Sequence, residues 1–540
     1  MTRARAAAGR NTRSAAGNRG RLRRRLRMRS RLRNVVLAML TGVIGFLAFP
    51  PADLSILAWV FLVPLFFVLK QDMSYRDAFL YSFLCGVVLF SGILYWLPNV
   101  TVPGTIILIL IMAAYIGAFG TVARMAFRNS MDPLVLPFIW VVLEFLRGHL
   151  LTGFPWALLG YTQYTNTSLI QIADTTGAYG VSFLVCAFNV AVFAVATRAK
   201  RRIACMMTVL IFIIAATTYG ISRTEQFSPA RKARLSVVQG NIPQDEKWSR
   251  GTAEGIIGVY TRLTEQAAGD APDMVIWPET AYPYLVQRGD AVPQEISDLA
   301  LSVNTPILAG IVSSDNGFLY NSALLFGGNG QLEGKYSKTH LVPFGEYVPG
   351  LFNALRDHID KPIGDFKRGG EYTLLPLRAV ESSVAADGSL SRIVNFYKFG
   401  VLICFEDVFP YISREFVSRG ASFLVNITND AWFGDTAAPI QHLQASVFRA
   451  VENRVPVVRA ANTGISAFID PLGRITSILE DNGRSVNVEG YLTDRITISP
   501  VRALYSLYGD IFVYFCGVMV ILLFILESLI YSPEHSLQKP

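Results

Sequence analysis

Apolar positions fall into two textures along this 540-residue chain. In the first, unbroken apolar runs approach the roughly 20 residues a helix needs to cross a bilayer. They cover residues 35–49, 54–69, 78–97, 105–122, 134–146, 180–196, 203–220 and 511–531. This pattern predicts a polytopic α-helical membrane domain of about eight spans. Several runs are short for a straight crossing, so the first two also fit a hairpin dipping in from one face. In the second texture, between residues 233 and 498, short β-branched runs end in polar or turn residues: 235–238, 274–277, 306–312, 322–326, 400–404, 423–427 and 457–460. Residues 251–268 and 441–453 carry amphipathic helical spacing. Strands with helices interspersed predict layered sheets covered by helices, of α/β or α+β type.

Composition agrees with this division. Hydrophobic residues reach 52% and charged residues 16%, against about 25% charge in ordinary soluble domains. Mean hydropathy is +0.37, which excludes a purely soluble enzyme and a largely disordered chain. The net charge of +9 misleads, because residues 1–33 hold 13 arginines and no acidic residue, and the remainder is net acidic. That run reads as a disordered cytoplasmic tail that touches anionic lipid and fixes topology. It lacks aromatic interleaving, so no nucleic-acid partner is expected; without a clean small-residue cleavage site after it, it reads as retained.

Lys and Arg are enriched in short cytoplasmic loops. The tail, Lys70 with Arg76, Arg124 with Arg128, and the basic cluster 198–202 fall on one side of the predicted spans. The predicted organisation is therefore a cytoplasmic tail (1–33), a membrane domain with spans one to seven (34–220), an extracytoplasmic domain (221–509), an eighth span (510–532) and a cytoplasmic C-terminal tail (533–540). Cys85, Cys186, Cys205 and Cys516 lie in predicted spans, which leaves Cys404 without a disulfide partner in the exported domain. It is either a small buried hydrophobe or a thiol kept for its chemistry.

Three predicted strand ends carry ionisable residues that a plain core would not want. In Val275-Ile276-Trp277-Pro278-Glu279-Thr280 a strand delivers a carboxylate, and Tyr336-Ser337-Lys338-Thr339-His340 delivers an ammonium. Val401-Leu402-Ile403-Cys404-Phe405-Glu406 delivers a thiol just before a helix-like run, where a helix N-terminus would lower its pKa. Pro410 favours the first helical position, which would set that helix several residues beyond the thiol. Together the three supply a nucleophile, a base and an oxyanion-stabilising cation, the parts of a covalent acyl-transfer site. A Cys/His pair using His340 or His442 is the competing arrangement. No metal is expected, since the chain has no CxxC or HExxH cluster.

With these motifs in view, the exported domain resembles the nitrilase superfamily, whose members set a Glu, Lys, Cys triad on an αββα sandwich. Combined with the membrane part, the chain looks like a member of the bacterial apolipoprotein N-acyltransferase family. The supporting motifs are Gly153-Phe154-Pro155-Trp156, Leu159-Gly160-Tyr161, Gly177-Ala178-Tyr179-Gly180, Gln239-Gly240-Asn241-Ile242-Pro243-Gln244 with Lys247-Trp248, and Asn429-Asp430-Ala431-Trp432-Phe433-Gly434. The resemblance implies Glu279 as general base, Lys338 as transition-state stabiliser and Cys404 as nucleophile. Lys335 lies three residues before Lys338, but the family pattern into His-Leu-Val-Pro-Phe-Gly-Glu falls on Lys338. It implies that Glu346 and Glu406 hold the lysine and the thiol region in place. Trp248 and Trp432 match aromatic positions near the entrance or pocket, and core packing accounts for them equally. Phe405 departs from the family, which often has Tyr after the nucleophile, so a hydroxyl there is not essential.

The resemblance further implies N-acylation of the lipidated N-terminal cysteine of diacylglyceryl apolipoproteins, the final step of bacterial lipoprotein maturation. The implied donor is a phospholipid, typically phosphatidylethanolamine, used in a ping-pong scheme through a Cys thioester without any cofactor. The implied location is the bacterial inner membrane, with the catalytic domain on the periplasmic side. A membrane-tethered nitrilase or amidase acting on small amides is the alternative, and a transporter or scaffold would explain the spans but not the triad. Residues 343–370, with Phe344, Tyr347, Leu351, Phe352 and Leu355, predict a lid dipping toward lipid.

Overall fold

The computed structural model describes residues 25 and 27–530, except 130, 132, 228–230, 245, 248–250, 288–292, 348–364, 385–389 and 500. Leu351, Phe352 and Leu355 of the expected lid, and Trp248, lie outside the described residues.

Five helices among the described residues are long and apolar enough to cross a membrane: Arg27–Leu47, Tyr75–Ile93, Val102–Arg128, Ala178–Ala196 and Arg202–Glu225. Their starts are locally encoded. The Ser74 hydroxyl accepts from the Asp77 N–H, and Thr101 accepts from the Gly104 N–H ahead of a helix with Pro103 in its first turn. Small residues then let the two helices approach, since a Cβ on Gly86 would meet the Ala113 backbone and one on Gly120 would meet Ser82.

Of the other predicted spans, one is a shorter helix, one is interrupted and one keeps its length. The run 134–146 is the 15-residue helix Val135–His149. The run 54–69 breaks into a 3-10 turn, Ser55–Trp59, and the seven-residue helix Val63–Leu69. Apolar content marks burial in protein as readily as burial in lipid, and Leu65, Phe66, Val68 and Leu69 are all fully buried against neighbouring helices. The C-terminal helix Ile511–Ile530 is 20 residues long. The first long helix begins at Arg27, within the segment expected to be a disordered tail, because arginine is a good helix former and extends a helix that the apolar run behind it anchors.

The intervening region is an α/β fold with two sheets. Its strands are β1 (Arg231–Gln239), β2 (Met274–Ile276), β3 (Leu285–Gln287), β4 (Ile307–Asp315), β5 (Phe318–Phe326), β6 (Leu332–Ser337), β7 (Leu375–Val384), β8 (Leu390–Ile403), β9 (Phe423–Thr428), β10 (Val457–Ala461), β11 (Ala467–Ile469), β12 (Ile475–Ile478) and β13 (Gly490–Ile498). One sheet runs β13-β1-β2-β4-β5-β6, with β3 paired to β4; the other runs β12-β11-β10-β9-β8-β7. Period-2 alternation divides the buried strands of the first sheet between two cores. Met274 and Ile276 of β2 join a cluster shared with Val401, Ile403, Val425 and Ile427 of the second sheet. Val275 and Trp277 face the other way, onto helices Ala253–Ala268 and Gln294–Val303. The weakly patterned strands β3, β6, β7 and β11–β13 had no counterpart among the expected strands. β13 finds its place only by pairing antiparallel with β1 from Arg231↔Ile498 to Gln239↔Gly490.

Helix Ala438–Asn453 is buried along nearly its whole length and joins the α/β region to the apolar helices. Gln441 Oε1 accepts from the indole N–H of Trp96 (3.0 Å) and of Trp156 (2.9 Å). Its amide donates to Pro50 O (2.9 Å) and Ile93 O (3.1 Å). One turn-spaced face further, Arg449 and Glu452 pair at 2.7 Å while Glu452 accepts from the Ala178 N–H. Arg454 reaches Asp174 at 2.7 Å.

Candidate active site

Three strand ends deliver the chemistry expected of them. Trp277 and Pro278 lead β2 into Glu279, Lys338 follows β6 directly, and Cys404 follows β8 directly. β8 and β9 run parallel, so their carboxyl ends meet on one rim. Two of the three positions adopt or border left-handed backbone: φ is +53° at Cys404 and +47° at Thr280. A non-glycine residue held there is strained, and such strain gathers at functional sites.

Glu279 and Lys338 join Glu346 in one charge cluster, and the partly buried Cys404 lies within its electrostatic reach. Lys338 Nζ donates to Glu346 Oε1 at 2.9 Å and lies 3.7 Å from Glu279 Oε1. Asn321 Nδ2 bridges the two carboxylates, at 2.7 Å from Glu279 Oε1 and 3.0 Å from Glu346 Oε1. The second Glu279 oxygen accepts from the Asn429 N–H at 2.9 Å, and that of Glu346 from the Val342 N–H at 2.8 Å. Burial opposes the charge on Lys338, but Glu346 and Glu279 outweigh it and hold the ammonium above the ordinary lysine range. The two carboxylates thus favour the charged form of Lys338.

Cys404 carries a free thiol. Burial pushes it well above its ordinary pKa, the Glu279 carboxylate adds to that, and Lys338 pulls the other way. This corrects the expectation of a thiol lowered by a helix dipole. Helix Pro410–Ser418 starts beyond a separate 3-10 turn, Cys404–Val408, and desolvation dominates. The thiol is thereby held toward its protonated form within electrostatic reach of the Glu279 carboxylate, a group able to accept its proton.

Glu406 joins the lysine and thiol segments. One of its oxygens accepts from Tyr336 Oη (2.8 Å), Thr339 N (2.7 Å), Thr339 Oγ1 (2.9 Å) and His340 N (3.1 Å); the other accepts from Ile403 N at 2.8 Å. Phe405 packs among Phe154, Trp156, Phe409 and His340, between the Cys404 turn and the apolar helices. Trp432 is 39% exposed, which is not core packing.

Both histidines are engaged elsewhere. His340 Nδ1 lies 2.8 Å from Tyr411 Oη, and burial together with Lys338 brings the ring down to about 4. His442 Nε2 lies 2.7 Å from Asp407 Oδ1 and 3.2 Å from the Cys404 carbonyl oxygen, not the sulfur. Burial opposes its charge, yet Asp407 and Asp430 raise it to about 9. Arg459 closes this buried cluster, 2.8 Å from Asp407 Oδ2. Sequence reasoning missed Asn321, Asp407, Arg459 and the role of Lys247, whose Nζ donates to the Glu279 carbonyl at 2.9 Å. Among the described residues no group of three or more His, Cys, Asp or Glu could hold a metal ion.

Comparison with known proteins bears on the family of the whole chain. The family model for the apolipoprotein N-acyltransferase N-terminal domain matches residues 41–191, and that for carbon-nitrogen hydrolase matches residues 234–489. Among curated relatives, an apolipoprotein N-acyltransferase from Geobacter metallireducens is 36% identical over 510 residues, covering 90% of this chain and 93% of that protein. One from Pasteurella multocida is 30% identical over 520 residues, covering 92% and 96%. Of solved structures, Nit3 from Saccharomyces cerevisiae, a member of branch 10 of the nitrilase superfamily, is 18% identical and covers 52% of this chain and 94% of that chain, with a TM-score of 0.36. Matches to both families' models in one chain, and full-length relatives at this identity, show that the chain belongs to the apolipoprotein N-acyltransferase family.

Proposed function

We propose that this chain acylates the α-amine of the lipidated N-terminal cysteine of apolipoproteins, taking the acyl group from a phospholipid through a thioester on Cys404. Family membership supports a membrane-embedded acyltransferase acting in lipoprotein N-acylation with lipid donors. Phosphatidylethanolamine is the expected donor. The observation that supports the mechanism is that Glu279, Lys338 and Cys404 sit at three strand ends, the thiol within electrostatic reach of the other two, with Glu346 and Asn321 bonded to them.

In the first half-reaction Glu279 takes the thiol proton and the sulfur attacks the ester carbonyl. The buried Lys338 ammonium stabilises the oxyanion. The carbon–oxygen ester bond breaks, the proton passes from Glu279 to the leaving alkoxide, and lysophospholipid departs. In the second, Glu279 accepts a proton from the incoming ammonium and releases it to solvent, the amine attacks the thioester, the carbon–sulfur bond breaks, and the nitrogen's second proton passes through Glu279 to the leaving thiolate, giving amide and free thiol. Drawing each acyl chain into water would cost about 0.8 kcal/mol per CH₂, so the site must meet lipid at the bilayer. Trp156 and Phe154, on the loop after helix Val135–His149, pack on Phe405 and support that placement.

The same reading takes the α/β region, 221–509, as an αββα sandwich on the periplasmic side of the inner membrane, with about eight spans around it. Intact-protein mass spectrometry after incubation with phosphatidylethanolamine tests the mechanism. An acyl-sized gain that needs Cys404 and is removed by neutral hydroxylamine is expected. Absence of an adduct on folded protein, with ammonia released from small amides, would replace the proposal by a tethered amidase.

A further inference from the structure

Glu279 is held by its backbone as firmly as by its carboxylate. β4 presses on the turn from one side, where a Cβ on Gly310 would stand 2.2 Å from Pro278 O, 2.7 Å from Glu279 Cα and 2.8 Å from Thr280 N. From another side the segment after β1 reaches the same turn by two routes. Lys247, 1% exposed, donates from Nζ to Glu279 O at 2.9 Å. Gln244 Oε1 accepts at 2.7 Å from Asn429 Nδ2, and the Asn429 N–H is the one bonded to Glu279 Oε2. Asn462 ties this segment to Asn429, donating to Ile242 O at 2.7 Å and to Asn429 Oδ1 at 3.0 Å.

A buried lysine spent on one backbone carbonyl is costly unless that carbonyl matters. Burial pulls Lys247 down to about 7, against the opposing influence of Glu279 and Cys404. The peptide it holds leads into Thr280 in left-handed backbone, which nothing in the local sequence favours. We propose that Lys247 is a positioning residue for the general base: its Nζ pins the Glu279 carbonyl and so fixes the angle at which the carboxylate meets the Cys404 thiol. This rests on the reading of Glu279 as base and Cys404 as nucleophile. The role is served by the N–H donor, which the amine retains whether or not it is charged.

Alkylation of Cys404 by iodoacetamide tests it on the full chain in detergent, without any lipid substrate. The rate is read from the Cys404 peptide by mass spectrometry, which separates it from the four other cysteines. Glu279→Gln slows alkylation and sets the scale. Lys247→Met is expected to slow it about tenfold or more, since a displaced general base forfeits much of its contribution. Lys247→Gln keeps a donor and is expected to return the rate to within about threefold of the parent. The pH at which Cys404 becomes reactive shifts upward in Lys247→Met. The groups acting on that thiol are Glu279, Lys338, Asp430 and the Thr428 hydroxyl, with Lys247 in electrostatic reach; only Lys247 is substituted, and only Glu279 is held by it. Parent-like alkylation in Lys247→Met overturns the proposal, as does a Gln variant as slow as Met. If Glu279→Gln leaves the rate unchanged, the base assignment fails and the proposal falls with it. Size-exclusion and thermal unfolding of each variant accompany the rates, and the Gln variant stands in for a Met variant that does not fold.

Discussion

Replacing Glu346 by Gln removes one negative charge from the buried cluster while keeping its size. Lys338 then loses the carboxylate at 2.9 Å and retains the one at 3.7 Å, which belongs to the proposed base. At an effective dielectric near 20, unit charges at those separations attract by roughly 6 and 4 kcal/mol, so Glu346 is the stronger anchor. Breaking a buried pair costs about 3–5 kcal/mol in net terms, because the remaining ion keeps its desolvation penalty. The ammonium recovers part of that by closing on Glu279. The closer pair stabilises the Glu279 carboxylate and makes it a weaker base toward the thiol. If about 3 kcal/mol of the loss is expressed in the barrier, acylation slows on the order of 10²-fold. The assay is a single-turnover time course of the Cys404 acyl-enzyme by intact mass, with phosphatidylethanolamine at saturating surface density. Cys404→Ala marks the background, and thermal unfolding shows that the variant is folded. Acylation by a folded Glu346→Gln variant within about threefold of the parent would refute the reasoning, since the cation would then not depend on Glu346 for its place.

Other outcomes follow from the same geometry. Gly310→Ala drives a methyl into the Glu279 turn and is expected to abolish most acyl-enzyme formation while costing about 1–3 kcal/mol of stability; a parent-like acylation rate would show that the turn has room. His442 has its folded pKa raised from 6.5 to about 9 by Asp407 and Asp430, so its contribution is complete below about 6.5 and lost as pH rises through 9. That shift is worth about 3 kcal/mol. Unfolding midpoints in detergent should fall between pH 7 and about 9.5, and His442→Gln should flatten that slope; identical slopes contradict the charge state assigned here. Gln441→Leu strands two indole N–H groups and two carbonyls, at roughly 1–3 kcal/mol each, and should lower the unfolding midpoint; an unchanged midpoint would mean that the joint relaxes or takes up water.

The apolar runs and the three strand-end motifs were readable because each is written locally. A membrane-crossing helix needs only a stretch of side chains that lipid tolerates, and a strand that ends in Pro and Glu announces its carboxylate within a few residues. The five long helices and strands β2, β4, β5, β9 and β10 lie where local pattern put them. Lengths near the threshold were less certain guides. Residues 54–69 read as one apolar run, yet they break into a 3-10 turn and a seven-residue helix, because burial in protein satisfies the same hydrophobicity. The edge strands β12 and β13 were invisible for the opposite reason. Their faces are only partly buried, and pairing with β11 and β1 supplies the order that composition does not.

Local sequence, then, determined which residues could do chemistry and which segments could meet lipid. Tertiary structure decided what state those residues are in. Burial raises the Cys404 thiol, where the helix-end argument had lowered it, because desolvation depends on everything packed around the sulfur and not on its neighbours in the chain. Lys247 and Glu279 stand 32 residues apart, and Gln441 and Pro50 are separated by 391. Electrostatic and hydrogen-bond energies fall steeply with distance in space and are indifferent to distance along the sequence, so such partners exist only once the chain has folded.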